Sequence, residues 1–239
     1  MTESPVSLDV EAGIGSDQVT IKNVRDFRWE EDGTFAKNYE TREYALEDLS
    51  GVWFGVDPFD SSFSAHTFLS FSFEESENLV ISVEARMKKG QEYGFLKGAT
   101  WQFGLIYVVA DEKDILGERV VSQDNYIQLY PVDTEIDTVR SVFIDMLERA
   151  NKIKREPESY NIIWNNCSRN LLFHADKFVD NSPNYFQTMY FCLCPDNKLY
   201  EWGFIQTDES IEDMKKTFRV ENYSPVEIYS ENFSLPFRD

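Results

Sequence analysis

Residues 65–86 read AHTFLSFSFEESENLVISVEAR and contain two stretches in which apolar and polar residues alternate. Such alternation is typical of strands with one buried face, and the short polar segment EESEN between them is typical of a turn. The segment therefore predicts an antiparallel β-hairpin. The residues predicted to face the core are Thr67, Leu69, Phe71 and Phe73 in the first strand and Leu79, Ile81, Val83 and Ala85 in the second.

Two pairings of this hairpin are plausible, and they differ in the residue placed opposite His66. One places Glu84 directly across from His66, and the other places Arg86 there with Glu84 at the diagonal position. Directly opposed side chains lie ~5 Å apart and diagonal ones ~7–8 Å apart, so either pairing allows His66 and Glu84 to meet. A bulge in either strand would break this inference.

The rest of the sequence predicts a mixed α+β fold. An amphipathic helix is predicted over residues 134–155, a second helix follows Cys167, and a short one covers residues 209–218. Residues 53–63 are aromatic and irregular, and they predict a loop. Further strands are predicted over residues 19–29, 101–110, 126–132 and 200–205. The expected architecture is an antiparallel sheet packed on helices.

The composition argues against several classes of function. The chain has 23 Lys and Arg against 43 Asp and Glu, a formal charge of −20, which would repel nucleic acid and anionic lipid. It has two histidines and three cysteines without a C-x-x-C pair, which argues against a zinc site and a disulfide framework. We therefore predict no metal and no cofactor.

The N-terminal residues 1–17 are polar and acidic, and they predict a disordered segment. Residues 18–239 contain no Pro/Gly/Ser-rich linker and are predicted to form a single domain. No stretch approaches the ~20 apolar residues that span a bilayer, so the chain as it stands is expected to be soluble and cytoplasmic. A periplasmic domain cut from its membrane segment would look the same, and the oligomeric state is left open.

Cys167 follows an Asn-Asn pair at the start of a predicted helix, in the stretch NNCSRN. Asn is a favoured N-cap, so the thiol would lie near unpaired backbone N–H groups and the positive end of the helix dipole. Both favour the thiolate and lower the pKa of a cysteine. The same N–H groups would stabilise an oxyanion. The simpler interpretation is that Cys167 is a small buried apolar residue.

A thiol nucleophile needs a base, and the chain offers two imidazoles. His174 lies seven residues after Cys167, about two helical turns away, which leaves His66 as the candidate. Glu84 would orient the imidazole as the third group of a triad. The alternatives are an incidental histidine at a strand edge and a solvent-facing ion pair of Glu84 with Arg86 or a lysine.

Other polar groups have simpler interpretations. Cys192 and Cys194 flank one leucine and are predicted to be semi-buried structural thiols. The carboxylates that follow a predicted strand favour a solvated loop over a cation site: Asp111, Glu112 and Asp114. The basic cluster near the hairpin either meets a negatively charged substrate group or offsets the acidic surface: Lys88, Lys89 and Lys97.

Five stretches of this chain together resemble the Lnb N-terminal periplasmic domain family. In order they are AHTFLSFSF, ISVEARMKKGQEYGF, LIYVVADEKDI, ERANKIKREPESYNIIWNNCSRN and CPDNKLYEWGFIQ, and the likeness runs from about Val19 to about Arg219. The family is related to circularly permuted papain-like (NlpC-like) thiol enzymes and to lecithin:retinol acyltransferase. The resemblance implies a permuted papain-like core, with catalytic positions at His66, Glu84 and Cys167.

For family members in the bacterial envelope, the resemblance implies acyl transfer onto the N-terminus of lipoproteins. We therefore expect an acyl-transfer enzyme that forms a thioester at Cys167, with Asn165, Asn166 and Ser168 as candidates for oxyanion stabilisation or orientation. The expected substrates are acyl, peptide or lipid-ester compounds. The alternatives are a cysteine peptidase or amidase on the same fold and a non-catalytic binding module. An apolar tunnel beside Cys167 would favour acyl transfer, whereas an open polar groove would favour a peptidase.

Overall fold

The computed structural model describes residues 9–59, 65–74, 76–88, 90–91, 94–179, 195–205 and 207–238. Its strands are β1 (Glu11–Ile14), β2 (Gln18–Arg25), β3 (Arg28–Trp29), β4 (Phe35–Ala36), β5 (Tyr39–Ala45), β6 (Leu49–Pro58), β7 (Ala65–Phe73), β8 (Ser76–Arg86), β9 (Phe103–Asp111), β10 (Ile127–Pro131), β11 (Ser159–Tyr160) and β12 (Arg219–Val220). Its α-helices are α1 (Phe95–Ala99), α2 (Glu112–Leu116), α3 (Ile136–Arg155), α4 (Cys167–Asp176), α5 (Pro195–Glu201), α6 (Ile211–Thr217) and α7 (Pro225–Ile228). A 3-10 turn (Leu46–Asp48) precedes β6, and a π-helical segment (Gly117–Ser122) follows α2.

Ten strands form one sheet, whose main path runs β1-β2-β9-β8-β7-β6-β10-β12. In the same sheet β5 pairs with β2 and β11 pairs with β9, while β3 and β4 form a separate pair. β2 and β9 meet in parallel at Arg25 and Ala110, and the other pairings described are antiparallel. The predicted α+β class, with an antiparallel sheet and helices, is confirmed. A permuted papain-like core stays a prediction.

Alternation along the strands gives the sheet two buried faces. On one face, Phe71 of β7 belongs to the same core as Phe143 of α3. On the other face, Phe68 of β7 belongs to a second core with Leu116 of α2 and Ile228 of α7. The helix α3 confirms the amphipathic helix predicted over residues 134–155. Among the described residues, no helix combines the length and apolar character needed to cross a membrane.

The β7–β8 hairpin forms with a shorter turn than predicted, because β8 already begins at Ser76. A bulge interrupts the pairing next to the turn, but the strands pair regularly beyond it. Phe68 pairs with Ser82, and the same register continued by two residues places Glu84 opposite His66. The first of the two predicted registers is therefore the one that forms.

Two predictions of irregular structure were wrong. The segment 53–63 was expected to be a loop, yet residues 53–58 belong to β6 in the middle of the sheet. Its glycines hide the strand pattern: Gly55 lies against the ring of Phe68, where an added Cβ would come within 2.2 Å of a ring carbon. The N-terminal segment was expected to be disordered through residue 17, yet β1 pairs with β2 and buries Val10 and Ala12.

Two strand predictions were also inaccurate. Residues 200–205 were expected to be a strand, but α5 continues to Glu201 and residues 202–205 form turns and bends. The strand expected over residues 19–29 is divided between β2 and β3. The short helix expected over residues 209–218 is confirmed as α6.

The acidic segment after β9 is buried, so the expected solvated loop was wrong. Its three carboxylates each bind an arginine from a distant part of the chain: Asp111 with Arg42 at 2.7 Å, Glu112 with Arg238 at 2.6 Å, and Asp114 with Arg25 at 2.8 Å. Burial raises the pKa of Asp114 to about 6, although Arg25 favours its charged form. These pairs link the end of β9 to β5, and α2 to β2 and the C-terminal segment.

Candidate active site

Cys167 is the first residue of α4 and carries a free thiol that is 7% exposed. Asn166 caps the helix. Its Oδ1 accepts a hydrogen bond from the Arg169 N–H at 2.9 Å, and its Nδ2 donates to the Ile162 carbonyl at 2.6 Å. The thiol therefore lies at the positive end of the helix dipole, where a thiolate is favoured.

The side chain of Asn165 holds the turn that precedes Cys167. Its Nδ2 donates to the Ser159 carbonyl at 3.0 Å, and its Oδ1 accepts from Asn170 at 2.9 Å. Both predicted amide side chains, Asn165 and Asn166, thus make structural hydrogen bonds around the turn. Backbone N–H groups are the better candidates for binding an oxyanion.

The Cys167 sulfur is held between the start of α4 and the start of β7. Its Sγ lies 3.8 Å from the Ser168 hydroxyl, which in turn lies 3.1 Å from the hydroxyl of Thr67. The backbone of Thr67 favours the thiolate and so lowers the pKa of Cys167. Of the predicted orienting residues, Ser168 is the one whose side chain reaches the thiol.

His66 stands at the second position of β7, close enough to Cys167 for each side chain to favour the charged form of the other. Its Nε2 lies 3.9 Å from Glu84 Oε1, so the three predicted catalytic positions do come together. Arg86 binds Asp9 at 2.8 Å, which differs from the predicted alternative of a Glu84–Arg86 pair.

Sequence reasoning missed Ser82, which lies between His66 and Glu84. Its Oγ is 2.7 Å from His66 Nε2 and 3.2 Å from Glu84 Oε1. The signal was weak but present, since Ser82 and Glu84 are polar residues two positions apart on one face of β8. Polar residues on the outer face of a strand are too common for that spacing to identify a site.

The pKa values of Cys167 and His66 are shifted in opposite directions. Burial disfavours the thiolate, but His66, the Thr67 backbone and the Ser168 hydroxyl outweigh it and lower the pKa of Cys167 to about 7. Burial likewise disfavours the imidazolium, but the Cys167 thiolate and Glu84 outweigh it and raise the pKa of His66 to about 9. The order of ionisation is therefore inverted, which favours an ion pair.

A buried chain of charges lies beside His66. Asp57 is its cross-strand neighbour on β6, and Asp57 binds Arg119 at 2.8 Å. Burial raises the pKa of Asp57, although Arg119 and His66 both favour the charged carboxylate. Arg119 in turn disfavours the imidazolium of His66. The charged state of His66 thus depends on groups from β6 and the π-helical segment as well as from β8.

Large apolar side chains are exposed on two neighbouring segments. One is α1 with the residues that follow it, and the other is the turn directly before Cys167 in the sequence. The turn over residues 161–165 is tied to α1 by hydrogen bonds from Asn161 to the Ala99 carbonyl and from the Ile162 N–H to the Gly98 carbonyl. The exposed residues on these segments are Leu96 (78%), Trp101 (50%), Ile163 (40%) and Trp164 (48%), which we call the apolar rim. A set of this kind marks a binding surface more often than chance exposure does.

The other predicted residues lie elsewhere. His174, also on α4, contacts Tyr107 and Asp145. Cys192, Cys194 and Lys89 fall outside the described residues. Lys88 is exposed and Lys97 is half-buried. Within the described part of the chain, no three His, Cys, Asp or Glu side chains are grouped so that they could hold a metal ion.

Comparison with known families gives one match. The family model described as the Lnb N-terminal periplasmic domain matches residues 35–190, which is more than half of the chain. This range includes His66, Glu84 and Cys167, and it is narrower than the likeness read from the sequence. No curated protein and no solved structure matches the chain.

Proposed function

This chain belongs to the Lnb N-terminal periplasmic domain family, and from that premise we propose that it is a thiol-dependent acyl-transfer enzyme. Cys167 is the nucleophile, His66 is the base, and the reaction passes through a thioester. The observation that carries the proposal is the proximity of three groups: a thiol at a capped helix start, an imidazole that lowers its pKa, and a carboxylate 3.9 Å from that imidazole. A cysteine that merely fills the core has no need of that arrangement.

The resting site is a thiolate–imidazolium pair over a defined pH range. Cys167 ionises at about 7 and His66 loses its proton at about 9, so the ion pair is the most populated state between those values. The thiolate is the reactive form of cysteine. The enzyme is therefore expected to be active near and above neutral pH without a cofactor.

Acylation begins when the thiolate attacks the carbonyl carbon of an ester. The new C–S bond forms as the carbonyl electron pair moves to oxygen, and the oxyanion is stabilised by N–H groups at the start of α4. Asn166 already caps the N–H of Arg169, so the groups for this role are those of Cys167 and Ser168. Collapse then breaks the ester C–O bond, and the leaving alkoxide takes the proton from His66.

Transfer reverses this chemistry. An amine attacks the thioester carbon, neutral His66 accepts its proton, and collapse expels the Cys167 thiolate with formation of an amide. Water in place of the amine would give hydrolysis. The buried setting of Cys167 favours transfer, because a poorly hydrated thioester survives long enough to meet an acceptor.

The apolar rim favours an acyl donor over a peptide. Two tryptophans, a leucine and an isoleucine are exposed on α1, just after it and on the turn that leads into Cys167, and such side chains bind hydrocarbon chains better than they bind polar backbone. The family's description as a periplasmic domain favours an envelope setting over the cytoplasmic one that the sequence predicts.

Trapping of the acyl-enzyme tests the proposal. The protein is mixed with p-nitrophenyl acetate, octanoate or palmitate in detergent, quenched in acid, and measured by intact mass and peptide mapping. We expect one acyl group on Cys167, formed faster from the longer chains, and its discharge by a peptide with a free N-terminus. Cys167→Ala should remain unlabelled, and Trp164→Ser should lose the preference for long chains.

Two results would contradict the proposal. Absence of an acyl group from folded protein with every ester would remove the acyl-transfer function. Cleavage of peptides without acylation by esters would establish a peptidase or amidase instead.

A further inference from the structure

We infer that Ser82 is a positioning residue, whose hydroxyl transmits the orienting effect of Glu84 to His66. The inference rests on the proposed function, since it assigns a role within the same site. It replaces the expected three-residue arrangement of Cys167, His66 and Glu84 with a four-residue one. The reason is a distance: 3.9 Å between His66 Nε2 and Glu84 Oε1 is too long for a hydrogen bond.

The hydroxyl of Ser82 closes this gap with two hydrogen bonds of ordinary length. It lies 2.7 Å from Nε2 of His66 and 3.2 Å from Oε1 of Glu84. An ionised carboxylate can only accept, so the Ser82 hydrogen points to Glu84. The Ser82 oxygen then accepts from the Nε2–H of His66. This order leaves Nδ1 as the nitrogen that exchanges a proton with Cys167.

Burial fixes the position of this hydroxyl. Ser82 is 1% exposed, and β8 is paired on both sides, with Phe68 and Val108 as the direct partners of Ser82. Glu84 is less enclosed by comparison, since 30% of its side chain is exposed. A buried serine thus holds the imidazole, while the carboxylate polarises the serine from the edge of the site.

The chain provides a matched control in Ser70. It lies on the neighbouring strand β7, on the same face as His66, and is fully buried. Its hydroxyl also donates to a carboxylate, that of Glu112, at 2.5 Å. Ser70→Ala therefore removes an equivalent buried hydrogen bond without touching His66.

The first test is alkylation of Cys167 by iodoacetamide from pH 5 to pH 10, followed by intact mass, in wild type, Ser82→Ala, Ser82→Thr and Ser70→Ala. We expect Ser82→Ala to move the midpoint up by about one pH unit, which is about tenfold in rate below the midpoint. Ser82→Thr keeps the hydroxyl and should restore the profile. Ser70→Ala should lower thermal stability and leave the profile unchanged.

A double variant tests whether Glu84 acts on His66 through Ser82 or independently of it. If Glu84 orients His66 through Ser82, then Glu84→Gln should shift the midpoint less in the Ser82→Ala background than in wild type, because only the Coulombic effect of Glu84 on His66 remains. Additive shifts, or a Ser82→Ala profile that matches wild type or Ser70→Ala, would overturn the inference. If wild type itself shows no His66-dependent activation, the proposed function fails as well, so the two failures are distinguishable.

A second measurement needs no variant and so does not depend on folding of a mutant. Above pH 10 the neutral His66 ring is expected to carry its proton on Nε2, which long-range ¹H–¹⁵N correlation spectra of the wild-type protein report directly. A proton on Nδ1 would overturn the inference, because Ser82 would then have no proton to accept.

Discussion

The two histidines of this chain are mostly or fully shielded from solvent and both lie beside a carboxylate, yet their pKa values move in opposite directions. His66 interacts with Cys167 and has a pKa raised to about 9. His174 binds Asp145 at 2.5 Å and Tyr107 at 2.7 Å, and burial lowers its pKa to about 4 even though Asp145 favours the charged form. A neighbouring carboxylate is therefore not enough to make a basic imidazole.

The difference lies in the group on the other side of each ring. Tyr107 stays neutral because burial raises its pKa, so it gives the His174 ring no charge to pair with. Lys177 and Arg149 further disfavour an imidazolium there. Cys167, by contrast, ionises near neutral pH at the start of a helix. The thiolate and the imidazolium stabilise each other, so the two groups are shifted as a pair.

The largest expected effect is the difference between the two histidines in how far their removal lowers the reactivity of Cys167. His66→Ala removes the cation that stabilises the thiolate, so the pKa of Cys167 should return to at least its ordinary value near 9. Alkylation of Cys167 at pH 7 should then slow about 50-fold, in proportion to the thiolate fraction. His174→Ala serves as the control and should change the rate less than about twofold. Equal losses in both variants would contradict the comparison.

A smaller effect is the pH dependence of the free energy of unfolding that His174 contributes. Since the folded pKa of His174 is about 4 and an unfolded histidine titrates near 6.5, the unfolded state binds more protons between these values. Stability contributed by the neutral ring is therefore present above pH 6.5 and is lost as the pH falls toward 4, by roughly 3 kcal/mol in total. Urea unfolding from pH 4 to pH 7 measures this slope.

Asp145→Asn and Tyr107→Phe sharpen the stability comparison. Tyr107→Phe leaves Nε2 of His174 without its partner, and Asp145→Asn replaces the charged acceptor beside Nδ1 with a neutral amide, so the free energy of unfolding should fall by about 1–3 kcal/mol. Cys167 alkylation should stay at the wild-type rate in both. A loss of reactivity here would show that the His174 cluster, which we assign a structural role, supports the Cys167 site.

Periodicity was sufficient to predict α3, the β7–β8 hairpin and the position of Cys167 at a helix start. The hairpin then restricted His66 and Glu84 to one face, which is why their proximity could be predicted without knowing the fold. β6 escaped prediction because glycines and aromatic residues disrupt its alternation, and its place is set by contacts such as Gly55 against Phe68. Such contacts depend on the finished sheet.

The partners of the buried polar groups could not be predicted from the sequence, for a similar reason. Asp114 and Arg25 are 89 residues apart, and nothing local distinguishes this buried pair from surface charges. Ser82 was missed because a serine on a strand face has no distinctive signal until its neighbours are known. Local pattern thus located the elements, whereas long-range packing decided which polar groups meet.

The most direct test of the central claim is the pH dependence of Cys167 ionisation in the wild-type protein, followed by thiolate absorbance near 240 nm with Cys167→Ala as the baseline. An activated pair predicts a thiolate that appears with a midpoint near pH 7 and persists through the loss of the His66 proton near pH 9. A midpoint at or above pH 9 would contradict the account, because Cys167 would then be an ordinary buried thiol with no activating partner.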